Sequence, residues 1–315
     1  MQRFRWCFIG TGTLAKGVAE ELNAYGKHEI SAVYSRRYEN AVAFAQRYGG
    51  TAYADVESAI RQADAVYVVT PHPAHYQMVK TAIGLGVPVL CEKPFTVRAE
   101  EARELFRLAK EKHVYIVEGM WTWFGPVAGT VKEWMSRIGE IRQVITSYRV
   151  NVLGYAPRLT DPNLAGGAIL DSGVYPITYL YRLFGKPVSV RCTGKVENGV
   201  DLSDEIDLTF ENGQTHHISL SICDDAGVED IRIVGDGGEI HVPCFRCADH
   251  AELITKMGTE VFSAETTMRN EFDLVAQEIR EGKTESGYVP PQATIDVMEI
   301  MDECRRQIGL IYPFE

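Results

Sequence analysis

A lysine that follows a buried strand is the first residue in this sequence whose placement could support catalysis. The apolar run Val87–Cys91 leads directly into Glu92-Lys93-Pro94-Phe95. Active sites of open α/β sheets lie beyond the carboxyl ends of the strands, which is where Lys93 would stand. Proline keeps the preceding residue extended or allows a cis peptide bond, so the Lys93 ammonium would be held in one direction. The alternative interpretation is an ordinary loop lysine.

A second candidate group lies far downstream, in Gly166-Gly167-Ala168-Ile169-Leu170-Asp171-Ser172-Gly173-Val174-Tyr175. If this segment opens a helix, Asp171 and Tyr175 are one turn apart on the same face. Taken alone, Asp171 is more typical of a helix cap and Tyr175 of a packed aromatic side chain.

A glycine-rich turn, Gly10-Thr11-Gly12-Thr13-Leu14-Ala15, follows the first predicted strand and opens the first predicted helix. In a dinucleotide fingerprint Gly10 would form the tight turn, Gly12 would let a pyrophosphate approach the backbone, and Ala15 would let the helix pack on the strand. The amides at the start of the helix would face the phosphates. A plain tight turn is the alternative, but this context favours dinucleotide binding.

The end of the second predicted strand indicates which dinucleotide is bound. NAD enzymes usually place an acid there, about 20 residues after the glycines, to bind the ribose hydroxyls. This strand instead ends in Tyr34-Ser35-Arg36-Arg37. Arginine offers a forked and permanently charged set of donors suited to a phosphate. We therefore expect NADP, selected through its 2′-phosphate. NAD is the alternative if the arginines are only a solvated pair at a helix start.

Alternating strands and helices in residues 1–119 must position these groups. The predicted strands are Phe4–Ile9, Glu29–Tyr34, Ala65–Thr70, Val87–Glu92 and Val114–Val117. The predicted helices are Thr13–Tyr25, Tyr38–Tyr48, Ala74–Leu85 and Ala99–Lys112. Strands that are apolar on both faces and separated by helices indicate a parallel sheet covered on both sides. The fold class is α/β, with an N-terminal domain built on a doubly wound parallel sheet.

Residues 120–315 show a different pattern, with longer strands separated by short turns. The predicted strands are Arg142–Val152, Val188–Val196, Glu205–Phe210, Thr215–Cys223 and Asp230–Val234. The predicted helices are Val127–Met135, Leu170–Phe184, Thr266–Glu281 and Ala293–Ile308. Consecutive strands joined by short turns indicate a mostly antiparallel sheet and hence a C-terminal α+β domain.

Alternation along two of these strands divides their side chains between two faces of the sheet. The apolar face carries Ile206, Leu208, Phe210, Ile218, Leu220 and Ile222. The other face carries Thr209, Ser219 and Ser221. If the helix predicted over 170–184 covers the apolar face, the polar face could meet a partner.

The composition restricts the partners that the protein can have. The chain has 315 residues, of which 45% are hydrophobic and 24% charged, and its formal net charge is −11. An acidic chain without a basic block argues against nucleic acid and anionic membranes as partners. The longest apolar runs are far shorter than the ~20 residues of a membrane helix. The first residues lead straight into Gly10, so we expect no signal peptide, a cytoplasmic location and a small-molecule substrate.

The cysteines and histidines do not indicate a metal site. Seven scattered cysteines, an odd number, fit a reducing cytoplasm better than a disulfide scaffold. The run from His241 through Cys244 and Cys247 to His250 contains metal-ligand residue types. In a continuous strand, however, the three-residue spacing would place these side chains alternately on opposite faces. We therefore predict no bound metal.

The motifs together resemble the Gfo/Idh/MocA family of oxidoreductases, over essentially the whole chain. They are the glycine turn, Glu92-Lys93-Pro94 at a strand end, and the segment from Gly166 to Tyr175. Thr70-Pro71-His72-Pro73-Ala74-His75 also matches the family's loop after its fourth strand. The stretch Glu118-Gly119-Met120-Trp121-Thr122, and a tyrosine at 175 where most relatives have histidine, are similar to the branch of dimeric dihydrodiol dehydrogenases and NADP-dependent D-xylose dehydrogenases.

The resemblance implies hydride transfer between a nicotinamide and a hydroxyl-bearing carbon of a sugar, polyol or dihydrodiol. Tyr175 would exchange the hydroxyl proton, Lys93 would supply a positive charge beside the phenol, and Asp171 would orient Lys93 or the substrate. Which of Lys93 and Tyr175 moves the proton stays open. The resemblance also implies that the first domain is a Rossmann domain and that the second carries a large open sheet that often forms a dimer face. We therefore expect a homodimer or a higher homo-oligomer. The residues expected to bind the cofactor are Gly10, Thr11, Gly12, Thr13, Leu14, Ser35, Arg36, Arg37, Thr70, Pro71, His72, His75, Glu92, Lys93, Pro94 and Trp121.

Three points stay open at this stage. Trp121, Trp123 and Phe124 could line the pocket, although a place in the core is favoured for the last two. A catalytically silent regulator that senses a dinucleotide or a sugar on the same fold is the alternative function, against which Lys93, Asp171 and Tyr175 argue. A different Rossmann enzyme, such as a methyltransferase, is disfavoured by the arginines after the second strand and by Glu92-Lys93-Pro94.

Overall fold

The fold is taken from a computed structural model that describes residues 3–247 and 249–315. The chain forms two compact units. The first consists of Met1–Trp121 with Thr267–Ile295, and the second of Thr122–Thr266 with Asp296–Glu315. None of the helices in the described residues combines the length and the hydropathy that a membrane span requires.

The first part of the chain alternates strands and helices as predicted. The strands are β1 (Phe4–Ile9), β2 (His28–Tyr34), β3 (Thr51–Tyr53), β4 (Ala65–Val68), β5 (Val89–Glu92) and β6 (Ile116–Gly119). The helices are α1 (Thr13–Tyr25), α2 (Tyr38–Tyr48), α3 (Val56–Ile60), α4 (His75–Gly84) and α5 (Ala99–Lys112). The sequence analysis missed β3 and α3, which are too short to show a period. Asp55 caps α3 by accepting a hydrogen bond from the Ser58 amide at 2.8 Å.

The first sheet has the strand order of a dinucleotide-binding fold. Its six strands are ordered β3-β2-β1-β4-β5-β6, and every neighbouring pair is parallel. In such sheets a crevice opens beyond the carboxyl ends of the strands where the order reverses, here between β1 and β4. The predicted doubly wound parallel sheet is confirmed.

The second unit is built on one large sheet. Its helices are α6 (Val127–Trp134) and α7 (Val174–Phe184). Its strands are β7 (Ile141–Asn151), β8 (Ser189–Glu197), β9 (Val200–Thr209), β10 (Thr215–Ser221), β11 (Cys223–Gly235), β12 (Gly238–Pro243), β13 (His250–Thr255) and β14 (Gly258–Ser263). The order is β14-β13-β12-β11-β7-β10-β9-β8, in which β7 and β10 are parallel and the other neighbours antiparallel. The predicted α+β architecture is confirmed, although β12 to β14 were not foreseen as separate strands.

One face of this sheet is buried beneath the helix that carries Tyr175. All six side chains predicted for the apolar face are buried, from Ile206 to Ile222. A Cβ added to Gly173, just before α7, would lie 2.9 Å from Leu220 Cδ1, so the helix rests directly on the strand. On the opposite face Thr209 and Ser219 are partly exposed, as predicted. Ser221 is buried instead, because β10 ends there and its hydroxyl accepts a hydrogen bond from the Cys223 amide.

Two helices close the chain, α8 (Met268–Arg280) and α9 (Pro291–Ile308). The sequence analysis assigned both to a domain starting at residue 120, whereas Thr267–Ile295 belongs to the first unit. The ring of Phe272 packs 4.9 Å from Trp6 and 4.9 Å from Tyr67, which explains the return of the chain. A return of this kind depends on long-range packing and leaves no local signal in the sequence.

Residues 244–247, which follow β12, form a turn rather than continuing the strand. Cys244 has a φ of 49°, its carbonyl accepts a hydrogen bond from the Cys247 amide, and the two residues form a disulfide. The other five cysteines are free. The sequence analysis did not predict the one disulfide that is present. The imidazole of His241 instead lies near Asp230 and Glu252 on the sheet. Within the described residues no group of three or more His, Cys, Asp and Glu side chains is arranged to hold a metal ion.

Candidate active site

Gly10 holds the end of β1 between its two neighbouring strands. Its φ is 120°, and a Cβ at this position would collide with the backbone carbonyl of Val69 after β4. Its amide donates a hydrogen bond to the Tyr34 carbonyl at 3.0 Å. Because only glycine tolerates both the conformation and the contact, the first glycine of the motif is required by the fold itself.

The N-terminus of α1 leaves space for a pyrophosphate beside its backbone amides. Gly12 is the N-cap of α1, no side chain caps the helix there, and a Cβ added to Gly12 would meet nothing within 4 Å. The first amides of a helix lack intrahelical acceptors and carry the positive end of the helix dipole. Thr13 begins the helix and Leu14 is 43% exposed beside the turn. These residues therefore fit a bound dinucleotide.

The end of β2 lies next to the glycine turn. The Thr11 hydroxyl donates to the Ser35 hydroxyl at 3.4 Å, which joins the two loops. Arg36 and Arg37 follow, both exposed, and Arg37 is the N-cap residue of α2. The structure thus brings together the residues predicted to recognise the phosphates and the adenosine ribose.

The His75 ring links the ends of β4 and β5. Its Nδ1 lies 2.9 Å from the Pro94 carbonyl oxygen, and its Nε2 lies 2.8 Å from the Thr70 carbonyl oxygen. The ring is fully buried, and this burial lowers the pKa of His75. Both ring nitrogens lie near backbone carbonyls, so the imidazole shapes the loop that contains Pro71 and the buried His72. The contact of His75 with the cofactor stays a prediction.

Glu118, at the end of β6, anchors the turn that carries Lys93. The Lys93–Pro94 peptide bond is cis, one of the two arrangements that the sequence allowed. The Phe95 amide donates to Glu118 Oε1 at 3.1 Å, and the Thr294 hydroxyl donates to Oε2 at 2.9 Å. Burial raises the pKa of Glu118 to about 7, although both hydrogen bonds and the nearby Lys93 ammonium lower it. The sequence analysis noted Glu118 only as part of a family motif and missed this role.

Glu92, the last residue of β5, is also held inside the first unit. It is 4% exposed, and the Tyr67 hydroxyl donates to its Oε1 at 2.6 Å. Burial, followed by the charge of Glu92, raises the pKa of Tyr67 well above its usual value, so Tyr67 remains a donor. The Glu92 side chain therefore fixes the base of the Lys93 turn.

The helix predicted over 170–184 begins as a wider, π-helical turn, Ile169–Gly173, before α7 continues it. Asp171 lies in the π-helical turn, and its Oδ1 accepts a hydrogen bond from Arg158 Nη2 at 2.8 Å. Tyr175 lies in the first turn of α7 and is 9% exposed. Turns of this type occur frequently at functional sites.

A buried carboxyl group sets the start of that turn. A Cβ at Gly167, whose φ is 118°, would overlap Asp201 Oδ1, and Asp201 Oδ2 accepts a hydrogen bond from the Ile169 amide at 2.6 Å. Asp201 is fully buried, and this burial raises its pKa. The pair Gly166-Gly167 was the available signal, because two glycines before a helix indicate a close approach. The two glycines do not indicate that Asp201 is the residue that approaches them.

The predicted site residues divide between the two units. Lys93, the glycine turn and Trp121 lie in the first unit, whereas Asp171 and Tyr175 lie in the second.

The aromatic residues that follow Trp121 pack inside the second unit. Phe124 is 7% exposed, which confirms the preference for a core position. The Trp123 ring packs on α7, with the Arg182 guanidinium 5.4 Å from its centroid.

Comparison with known proteins agrees with this geometry. The model of an oxidoreductase family with an NAD-binding Rossmann fold, GFO_IDH_MocA, matches residues 4–120, and that of the GFO/IDH/MocA C-terminal domain matches residues 130–241. D-xylose 1-dehydrogenase (NADP(+)) of Hypocrea jecorina is 30% identical, over 98% of this chain and 93% of its own. This chain belongs to the Gfo/Idh/MocA oxidoreductase family. It is thus an enzyme of the class that the sequence motifs predicted.

Two further relatives of this Gfo/Idh/MocA enzyme extend the comparison. Trans-1,2-dihydrobenzene-1,2-diol dehydrogenase of Danio rerio is 28% identical over 98% of both chains. Among solved structures, the 3-ketoreductase KijD10 of Actinomadura kijaniata, in complex with NADP and TDP-benzene, has a TM-score of 0.88 with 98% of both chains covered. At 22% identity this last likeness concerns the fold alone.

Proposed function

We propose that this enzyme transfers a hydride between the nicotinamide of NADP and a hydroxyl-bearing carbon of a sugar, polyol or dihydrodiol. The observation that carries the proposal is the Lys93 turn, which Glu118 and His75 hold at the carboxyl edge of a dinucleotide-binding sheet. Family membership supports the reaction class, as do the names of the relatives, an NADP(+) xylose dehydrogenase and a dihydrodiol dehydrogenase.

The side chains of the chain supply the proton transfer and the charge. The nicotinamide, when bound, supplies the redox chemistry. In the direction of oxidation the Tyr175 phenolate takes the proton of the substrate hydroxyl, and the Lys93 ammonium stabilises negative charge on the oxygen. Asp171, which forms an ion pair with Arg158, orients Lys93 or the substrate. In the direction of reduction Tyr175 returns the proton to the carbonyl oxygen.

NADP is proposed over NAD because of the residues at the end of β2. Arg36 and Arg37 are exposed beside the Thr11–Ser35 contact, and Tyr34-Ser35-Arg36-Arg37 contains no acid that would bind the ribose hydroxyls of NAD. A 2′-phosphate is the group that a pair of guanidiniums recognises best.

We further propose a cytoplasmic homodimer that acts on a small molecule. The polar face of the large sheet, opposite α7, carries partly exposed charged side chains in mutual contact, and such a surface suits a second copy of the chain. The net charge of −11 disfavours nucleic acid and anionic membranes as partners.

The test begins with turnover measured by NADPH absorbance on aldoses, polyols and dihydrodiols, including D-xylose. With the best substrate, Tyr175→Phe should lower kcat by at least ~100-fold, because it removes the proton-transfer group. The dissociation constant for NADP should stay unchanged, since the phenol meets the substrate rather than the phosphates. Tyr155→Phe is the matched control, because Tyr155 is a 74% exposed tyrosine of the same unit. Near-normal turnover in Tyr175→Phe would assign the proton transfer to Lys93 or to a water molecule.

A further inference from the structure

Two cysteines that follow β12 are joined by a disulfide within a single turn. They are Cys244 and Cys247, which lie three residues apart in Cys244-Phe245-Arg246-Cys247. Both residues are partly exposed, so a small molecule in solution can reach their sulfurs. The Cys-X-X-Cys spacing is typical of cysteine pairs that exchange between the disulfide and the dithiol.

The turn has hydrogen bonds that do not depend on the disulfide. The Cys247 amide donates to the Cys244 carbonyl at 2.7 Å, and the Cys244 amide donates to the Glu229 carbonyl at 2.6 Å. The Arg246 amide donates to Glu229 Oε1 at 2.9 Å. These bonds attach the turn to β11, so the two cysteines stay close together when the bond between their sulfurs opens.

A buried aromatic side chain anchors the same turn to the rest of the second unit. Phe245 is 1% exposed, and its ring lies 5.8 Å from that of Tyr148 on β7 and 6.3 Å from that of Tyr179 on α7. A disulfide that closes so short a loop also contributes less stability through loop closure than one that closes a long loop. The fold therefore has little need of this bond, in contrast to a structural disulfide.

We propose that Cys244 and Cys247 form a reversible thiol–disulfide site whose reaction partner is a small thiol such as glutathione. A glutathione thiolate attacks one sulfur of the pair, and the other sulfur leaves as a thiolate and takes up a proton. A second glutathione attacks the mixed disulfide, which releases the dithiol form of the protein and oxidised glutathione. Two electrons pass from the two glutathione sulfurs to the pair, and excess oxidised glutathione reverses the reaction.

The experiment counts reactive thiols in the complete, folded protein. Of the five free cysteines only Cys223 is exposed, so Cys223→Ser leaves Cys244 and Cys247 as the cysteines that a polyethylene glycol maleimide can reach. Excess reduced glutathione should give two labels. Excess oxidised glutathione should then restore a protein with no label and, by intact mass, no bound glutathione. Cys223→Ala provides a second background if the serine variant does not fold.

Single-cysteine variants test the exchange step itself. On the same background, Cys244→Ser and Cys247→Ser each leave one sulfur of the pair. At least one of these variants should take up one molecule of glutathione from its oxidised form, which intact mass detects as the mixed disulfide. The matched control lacks both cysteines of the pair and should take up none. Uptake by this control would assign the reaction to another cysteine and overturn the proposal.

The remaining outcomes separate a reversible site from a structural disulfide. The reduced protein should keep a cooperative thermal transition, because the hydrogen bonds to Glu229 and the packing of Phe245 persist. Labels that appear only when this transition is lost would identify a structural disulfide. No label at any ratio of reduced to oxidised glutathione would show that the pair does not exchange. Two labels, or bound glutathione, in excess oxidised glutathione would show that the bond does not form. Each of these three results would overturn the proposal.

Discussion

The buried carboxyl group of Glu118, beside the Lys93 turn, should make the stability of the first unit depend on pH. Glu118 is 3% exposed, and burial raises its pKa from an ordinary 4.5 to about 7. Between these two values the folded protein keeps a proton that the unfolded chain has lost. The contribution of Glu118 to stability is therefore complete below the unfolded pKa and is lost as the pH rises through the folded pKa.

Glu118→Gln should remove this dependence while keeping the local shape. A glutamine oxygen can still accept the hydrogen bond from the Phe95 amide, but it does not titrate. From pH 4.5 to 7 the wild type should lose on the order of 3 kcal/mol of unfolding free energy relative to the variant. Urea denaturation at several pH values measures the difference. Glu57→Gln, at an exposed carboxylate on α3, is the control, and parallel curves for wild type and Glu118→Gln would contradict the assignment.

At the scale of elements, the junction of β2 and α2 should decide between the two dinucleotides. Replacing Arg36 and Arg37 together by alanine removes charge-assisted contacts to a 2′-phosphate, each worth roughly 1.5–3 kcal/mol. The KM for NADP should rise at least ~10-fold, whereas the KM for NAD should change little. Steady-state kinetics with both cofactors measure this. Equal losses for NADP and NAD would show that the arginines only stabilise the start of α2.

The helices and strands were largely predictable from the sequence, whereas the contacts between them were not. β1, α1, α2 and α5 begin and end where periodicity and turn residues indicated, because each of the helices buries one continuous apolar face and β1 is buried on both faces. The residues that support the site were harder to find. The contacts of His75 with Thr70 and Pro94, and of Asp201 with Ile169, join segments that are set by tertiary packing. Periodicity describes one segment at a time and therefore carries no information on such pairs.

At the scale of the whole molecule, the polar face of the large sheet is the surface that a second copy would cover. Eight strands at ~4.8 Å spacing and about 20 Å in length present roughly 700 Å². Two such faces together match the ~1,200–2,000 Å² of a stable interface. Arg149 contacts Glu205 and Asp224 on this face, and His217 lies 2.9 Å from Glu205.

Ser147 tests this dimer because it lies at the centre of the proposed face. It is partly exposed on β7 and stands directly opposite Ser219 of β10, with four strands on the other side of β7. Wild type should sediment as a dimer at micromolar concentration, and Ser147→Trp should sediment as a monomer, because an indole at the centre of the interface keeps two flat faces apart. Lys256→Trp adds the same ring at the exposed turn between β13 and β14 and should remain dimeric. A wild-type monomer would refute the dimer, and a dimeric Ser147→Trp would move the interface to another surface.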